Sequence, residues 1–344
     1  MPKVAVLVAA YNAAATLPKC LDSLLGQTLS DIEIICIDDS STDDTPALLT
    51  RRAAADRRIK VLHNTVNSGQ AVARNRGLKV VQAPYVTMVD ADDWLSPDCL
   101  QQAYDTMEQH PETDAVAFRL ILHNDDDGSE KDFGLPETLA HGNAISGREA
   151  FMLCIDGWRL HGTYLVRTEL HRRIPYDEST MLYSDDNTSR LHYLNAREVR
   201  ACEGIYYYRQ HDSSMTHAFS IRRFDFMEAN LSLRKALDDY FTSHPDTLHT
   251  QTSQTVMQKM EVSRWYTFLA CYRLYFNHLG EIPRDSRHGL ERRFDNILST
   301  FSVKSLPLSC RRRPGYWLIG QPYLFRMQQR IFVAARRLLR LPMP

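Results

Sequence analysis

No stretch of this 344-residue chain approaches the roughly 18 consecutive apolar residues that a membrane-spanning helix needs. The N-terminal run MPKVAVLVAAYN is too short for the core of a signal peptide and ends in polar residues, so the chain reads as cytoplasmic. Its seven cysteines, Cys20, Cys36, Cys99, Cys154, Cys202, Cys271 and Cys310, are scattered and odd in number, and none forms a C-x-x-C pair. That excludes a disulfide frame and a cysteine zinc site, and leaves reduced thiols as packing residues. Neither G-x-G-x-x-G after a strand nor G-x-x-x-x-G-K-[ST] occurs, so a dinucleotide fold and a phosphate-loop ATPase are excluded. The net charge of -1 gives no general case for a nucleic-acid partner. No internal repeat or low-complexity tract is present.

Four short runs rich in β-branched residues are present early: KVAVLVA, IEIICID, RIKVLH and YVTMVD. Helical patterns separate them, at Thr16 to Gly26, Thr45 to Ala55 and Gln70 to Val81. This alternation predicts an α/β fold with a mostly parallel sheet sandwiched by helices. Parallel strands end at one edge, where ligands bind in open α/β sheets. Tyr11, Asp38, Asp39 and the Asp90 cluster fall at such ends. A further helix and the strand DAVAFRLILH follow, then the polar NDDDGSEKDFG. The last lacks the spacing of a calcium loop and predicts a solvated hairpin or loop. From about residue 220 the pattern is helical, which places a boundary near 218 between an α/β unit and a helical extension over 219–344.

YVTMVDADDWLSPD sets three carboxylates, Asp90, Asp92 and Asp93, at the tip of the fourth strand. Asp90 and Asp92 flank the small Ala91 and can aim their oxygens at one point, which suits Mg²⁺ or Mn²⁺ completed by substrate phosphates. The competing reading is a helix N-cap by Asp93 and Ser96 before PDCLQQAYDTM. A cap accounts for one acid, not three. In CIDDSSTDDT, Asp39 can accept a hydrogen bond from a base imide or a ribose hydroxyl, or can serve an Asx-turn and cap for the next helix. In NSGQAVARNRGL, Gly69 permits a tight turn, and Arg74 and Arg76 carry cations toward the strand ends or lie solvated on a helix face.

Taken in order, VLVAAYNAAATLPKCLDSLLGQTLSDIEIICIDDSSTDDT, NSGQAVARNRGL and YVTMVDADDWLSPDCL resemble glycosyltransferase family 2 with its GT-A fold, densely over the first 110 or so residues. A weaker echo continues through YSDDNTSRLHYLNAREVRACEGIYYYRQHDSSMT. The resemblance implies a catalytic domain over 1–218, with a nucleotide-binding half to about 110 and an acceptor half over 111–218. It also implies inverting transfer of a sugar from a nucleoside diphosphate sugar, a UDP-sugar first, to a glycan or lipid-linked acceptor of the cell envelope. Residue by residue, Tyr11 stacks on the base, Asp39 hydrogen-bonds it, and Arg74 helps hold the nucleotide. Asp90 and Asp92 form the D-x-D motif, with Asp92 the direct ligand of Mn²⁺ or Mg²⁺ and Asp90 nearer the ribose or the waters of the metal. Asp186 is the general base and Asp185 replaces the usual glutamate; a slip of one residue would make Asp185 the base. His211 and Arg209 fall in a Y-x-Y-R-x-H-x-x-S-x-T segment and are candidates for the diphosphate or acceptor. A nucleotidyltransferase, or a silent sugar-nucleotide or glycan-binding module, is the alternative. The first wants glycines that VAAYNAAATLPK lacks. His161, His192 and Trp158 lie in the acceptor region, where packing roles are the commoner outcome.

No acidic residue follows Asp295. Wound as a helix, Leu324, Met327, Ile331, Ala334, Ala335, Leu338 and Leu341 share a face, and Arg326, Arg330, Arg337 and Arg340 gather opposite. That pattern fits an interfacial helix on an anionic membrane surface, which would make the chain peripheral on the inner face of the cell membrane. A helix packed on the protein, or an oligomer contact, fits it as well.

Overall fold

The β-branched runs become the centre of a mixed sheet because their side chains are apolar on both faces and helices cover both. The computed structural model describes residues 1–155, 157–210, 219–244, 251–313 and 316–339. The chain divides into two units, Met1–Ala218 and Phe219–Pro344.

In the first unit β1 (Val4–Ala10), α1 (Leu17–Leu25), β2 (Ile32–Asp38), α2 (Thr45–Ala55), β3 (Ile59–His63), α3 (Gln70–Leu78) and β4 (Tyr85–Met88) alternate as the sequence predicts. After them come β5 (Trp94–Leu95), α4 (Cys99–Gln109), β6 (Thr113–Asn124), β7 (Glu130–Asp132), β8 (Ile145–Ser146), α5 (Gly147–Ile155), β9 (Tyr164–Arg167), α6 (Thr168–Arg173), α7 (Ser184–Asn195) and β10 (Glu198–Gln210). The strand order is β3-β2-β1-β4-β9-β6-β10-β5. β1 runs parallel to β2 and β4, and β2 to β3, so the loops after β1, β2 and β4 share one edge. The antiparallel β9 joins this half to the parallel pair β6 and β10. The polar stretch after β6 is a hairpin, with β7 antiparallel to β6.

α3 stops at Leu78, short of the expected Val81. Its close approach to the sheet depends on Gly77, where a Cβ would lie 2.7 Å from Ile37 Cδ1 and 3.1 Å from Leu7 Cδ2. Beyond it, the buried Glu33 accepts the backbone N–H of Gln82 (2.6 Å) and Ala83 (2.8 Å) and pairs with Lys60 Nζ at 2.7 Å. That carboxylate fixes the turn leading into β4, and thereby the height at which β4 delivers its acids. All seven cysteines are buried and free, and burial pushes the thiols of Cys36, Cys154 and Cys202 up to about 12.

The second unit contains α8 (Asp225–Ser243), α9 (Gln251–Asn277), α10 (Arg284–Ser299), the short α11 (Leu308–Arg311) and α12 (Pro322–Leu338). An aromatic core including Phe224, Trp265, Phe268, Tyr272, Phe294 and Phe325 fills it. Arg293 of α10 holds Asp225 (2.9 Å) and Glu228 (2.7 Å) of α8. Among the described residues no helix is long and apolar enough to cross a membrane.

Glu33→Ala leaves the buried Ala83 N–H without its acceptor. We expect a loss of about 1–3 kcal/mol, read as a lower urea midpoint with an unchanged slope.

Candidate active site

The loops at the shared strand edge are tied to one another before any acid is considered. Asn12, at φ 50°, accepts Thr42 N–H on its side chain (2.8 Å) and donates its own N–H to Ser41 Oγ (2.9 Å). Ala13 N–H reaches Thr45 Oγ1 (2.9 Å) and Ala14 N–H reaches Asp43 Oδ2 (3.1 Å). The β1–α1 and β2–α2 loops are therefore laced together, and Tyr11, 49% exposed, projects from the pair.

Asp39 is buried, and hydrogen bonds engage both of its oxygens. Oδ1 accepts Asn64 Nδ2 (2.7 Å), and Oδ2 accepts the N–H of Gly69 (2.8 Å) and of Ser68 (3.1 Å). Those donors come from the turn that Gly69, at φ +87°, makes into α3. In this structure the Asp39 carboxylate organises that turn. Arg76 donates to His63 O and to Asn64 Oδ1 on the same turn.

Arg74 is wholly buried. The sequence reading put it beside a nucleotide, but here its guanidinium pairs with Asp90 and lies 3.4 Å from Asp185 Oδ2. It also donates to Gln70 Oε1 (3.1 Å), and the ring of Tyr176 lies 5.4 Å away. Gln70 in turn donates to Asp185 Oδ2 at 2.8 Å. One cation thus joins the tip of β4 to the start of α7, across 95 residues of sequence between Asp90 and Asp185.

Asp93 does not cap α4. That helix starts at Cys99 behind Asp98, whereas Asp93 is 1% exposed and faces β10. Asp93 Oδ2 accepts the Tyr206 hydroxyl (2.7 Å) and Oδ1 accepts Arg209 N–H (2.8 Å). The Tyr206 hydroxyl accepts Asp90 N–H at 3.1 Å. Arg209, expected near diphosphate or acceptor, directs Nε at the Asp92 carbonyl (2.7 Å) and pairs with Asp125 at 2.8 Å. Asp93 and Tyr206 as a pair were missed in the sequence. The available signal was the alternation of YYYR along β10, which turns Tyr206 inward while Tyr207 stays partly exposed.

α7 begins after Tyr183, held at φ 67°, and presents Asp185 and Asp186 in its first turn. Asp185 is engaged by Gln70 and Arg74, whereas no hydrogen bond reaches the Asp186 carboxylate among the described residues. Burial raises the Asp186 carboxyl to about 7, the charge of Asp185 adds to the rise, and Arg190 pulls against it. Arg190 lies against Trp158, with its guanidinium carbon 4.1 Å from the ring centroid. His161 and His192 are buried; His192 bonds the Tyr164 hydroxyl (2.6 Å) and Ile174 O (2.7 Å), which is a packing role. His211 lies outside the described residues.

Burial raises the carboxyl of Asp90, Arg74 lowers it, and the charges of Asp92 and Asp185 raise it again. Burial likewise holds Asp93 well above the usual carboxylate range, with Asp90 and Asp92 adding to the rise. Arg74 pairs with Asp90 and Asp185, and the charge of Asp92 also acts on Asp90, so carboxylates at this corner outnumber the guanidinium paired with them. A hard divalent cation at Asp90 and Asp92 fits that excess. No cluster of three or more metal-ligating side chains occurs among the described residues. Two carboxylates suit a cation whose remaining ligands are water and phosphate better than one held in a closed protein cage.

A sheet of this order, edged by acids at the end of β4 and helix-covered, defines a GT-A fold. Residues 5–147 match the model of the family described as Glycosyl transferase family 2. EpsH of Bacillus subtilis is 29% identical over 266 residues, covering 71% of this chain and 75% of that protein. Glycosyltransferase GlyG of Streptococcus pneumoniae is 26% identical over 225 residues, covering 62% and 72%. Among solved structures, residues 1–349 of S. aureus TarS in complex with UDP superpose with a TM-score of 0.66 at 18% identity, covering 98% of this chain and 91% of that one. Residues 5–147 thus carry a domain of the glycosyltransferase family 2 type, and these relatives mark the chain as a glycosyltransferase.

Asp93→Asn keeps an acceptor for Arg209 N–H and should retain most of the stability, whereas Asp93→Ala or Tyr206→Phe should lose about 1–3 kcal/mol. Urea unfolding of the three variants checks that order.

Proposed function

We propose that this enzyme transfers a sugar with inversion from a nucleoside diphosphate sugar, a UDP-sugar first, to a hydroxyl of a cell-envelope glycan or its lipid-linked precursor. The observation that carries the proposal is the single buried guanidinium of Arg74 bound to both Asp90 and Asp185. It brings the D-x-D corner and the acid pair of α7 within one side chain's reach, as a displacement with a metal-bound leaving group on one side and a base on the other requires. The TarS structures with UDP and with UDP-GlcNAc support the choice of donor. A poly(ribitol-phosphate) beta-glucosyltransferase of Bacillus spizizenii, 34% identical over 111 residues, supports an envelope glycan as acceptor.

In this reading residues 1–218 are the catalytic domain. Tyr11 offers its exposed face to the base, and the Asp39-braced turn lines the nucleotide side. Asp92 and Asp90 would hold Mn²⁺ or Mg²⁺, which supplies Lewis-acid neutralisation of the diphosphate leaving group. Arg74 acts from behind, holding Asp90 in its charged form. Arg209 acts through the Asp92 backbone, and His211 remains a candidate for the diphosphate. Asp186 takes the proton of the acceptor hydroxyl as that oxygen attacks. Among the described residues its carboxylate is the one in the acid pair that no hydrogen bond reaches, and a value near 7 is suited to giving and taking a proton at neutral pH.

Asp186→Asn should lower kcat by at least about 10²-fold while calorimetric donor binding stays intact; equal loss of both refutes the base assignment. In the parent enzyme kcat/KM should rise with pH through about 7, since protonation below that value removes the base. The same shift has a stability consequence. A carboxyl raised from 3.8 to about 7 on folding costs stability that sets in as pH rises through that interval. Asp186→Asn should therefore be more stable than the parent above the interval and equal to it below. Asp92→Ala should abolish the Mn²⁺-dependent part of donor binding, and an unchanged Mn²⁺ titration would defeat the metal assignment. A thermal-shift panel of nucleotide sugars with Mn²⁺ identifies the donor as the one that raises Tm most.

A further inference from the structure

Two different apolar stripes run along α12, and the fold uses only one of them. Phe325, Gln329 and Val333, spaced four residues apart, are buried, and Phe325 lies 5.0 Å from the Tyr272 ring of α9. That stripe docks the helix on its own unit, as the packing alternative anticipates. The other stripe is open: Tyr323, Ile331 and Leu338 are 68%, 67% and 86% exposed, and Met327 is exposed between them. Trp317, in the turn before the helix, is 69% exposed. A helix already seated by its inner face gains nothing in water from a second apolar face, so contiguous exposure of this kind marks a surface covered by something else.

Charge says what covers it. From residue 296 to the end the chain has nine Lys and Arg and no Asp or Glu, whereas the preceding residues hold 32 basic and 42 acidic side chains. Two of the arginines on this helix are tied to the fold. Arg326 pairs with Asp295 (2.8 Å) and Arg330 with Glu291 (2.8 Å), both on α10. These pairs leave Arg330 54% exposed and set both arginines in the shallow cleft that Tyr323, Met327 and Ile331 also line. Arg312 and Arg313 are exposed just before Trp317. The exposed Arg330 therefore opens beside Tyr323, Met327 and Ile331 of the apolar stripe. A second copy of this chain docked by a two-fold contact would set the same cations against each other. An anionic lipid surface instead offers phosphates to the arginines and acyl chains to the apolar stripe.

We propose that α12 and the Trp317 turn form an interfacial docking surface for an anionic lipid bilayer. The surface lies on the second unit and stands whatever the sugar donor proves to be.

Flotation of the full chain with vesicles tests it directly. Vesicles of phosphatidylcholine mixed with phosphatidylglycerol should carry the protein, phosphatidylcholine alone should not, and added salt should release it. Tyr323→Glu with Ile331→Glu should weaken binding at least roughly tenfold by placing charge in the apolar stripe. Arg312→Gln with Arg313→Gln, at exposed positions that cannot disturb the core, should weaken it severalfold and flatten the salt dependence. Circular dichroism and the Tm of each variant should match the parent. Equal binding to both vesicle types, or binding to neither, overturns the proposal. So does a dimer in light scattering that the Tyr323→Glu, Ile331→Glu variant dissolves, because the stripe would then be covered by a second copy.

Discussion

A guanidinium with no solvent contact organises the first unit. Arg74 is 0% exposed, and its charge is tolerable only because Asp90 and Asp185 face it and Gln70 fills a further donor position. Removing a charge of this kind from water costs several kcal/mol unless its partners hold their geometry. The three partners come from α3, the end of β4 and the start of α7. Displacing any one of these segments would leave an uncompensated ion, so they behave as one mechanical piece. The close seating of α3 at Gly77 and the Glu33-braced turn into β4 are what put Arg74 and Asp90 at matching heights.

The opposite side of the acid corner is held by a different device. Asp93, Tyr206 and Arg209 form a hydrogen-bonded set between the β4–β5 turn and β10, and they act on Asp90 and Asp92 through backbone atoms. The D-x-D turn is therefore held from both sides, by a charge at Asp90 and by main-chain hydrogen bonds at Asp90 and Asp92. Asp93 stays beside Asp90 with its two oxygens serving Tyr206 and Arg209.

The strand and helix alternation of the first 90 or so residues was legible because each element carries its own period in the sequence, and α2 even matches in its bounds. The same holds for the single edge where Tyr11, Asp39 and Asp90 gather, which follows from parallel strands alone. What periodicity does not encode is which distant group fills a buried polar site. Arg74 and Asp185 are 111 residues apart, and Asp93 and Tyr206 113 apart. Asp93 therefore read as a local cap, and the partners that Arg74 and Arg209 find on other segments were not legible. Asp39 shows the same limit, since the donors that claim it belong to a turn 25 or more residues away. At α12 the helical period marked the stripe of Met327, Ile331 and Leu338, but neither the buried stripe of Phe325 and Val333 nor the acids of α10 that claim Arg326 and Arg330.

The adjacent acids of α7 show how one helical turn separates two roles. Consecutive helix residues point about 100° apart, so a residue facing Arg74 and Gln70 forces its neighbour to face elsewhere. Asp185 takes the first direction and is held there by Gln70 and Arg74. Asp186 takes the second, toward the Arg190 side, where burial and the adjacent negative charge keep its proton affinity high. A carboxylate held by a guanidinium is a poor base because its charge is already stabilised. One that is desolvated and unbonded is a good base for the same electrostatic reason reversed. In the proposed mechanism this separation leaves Asp186 as the proton acceptor, and the charge of Asp185 contributes to the proton affinity of Asp186.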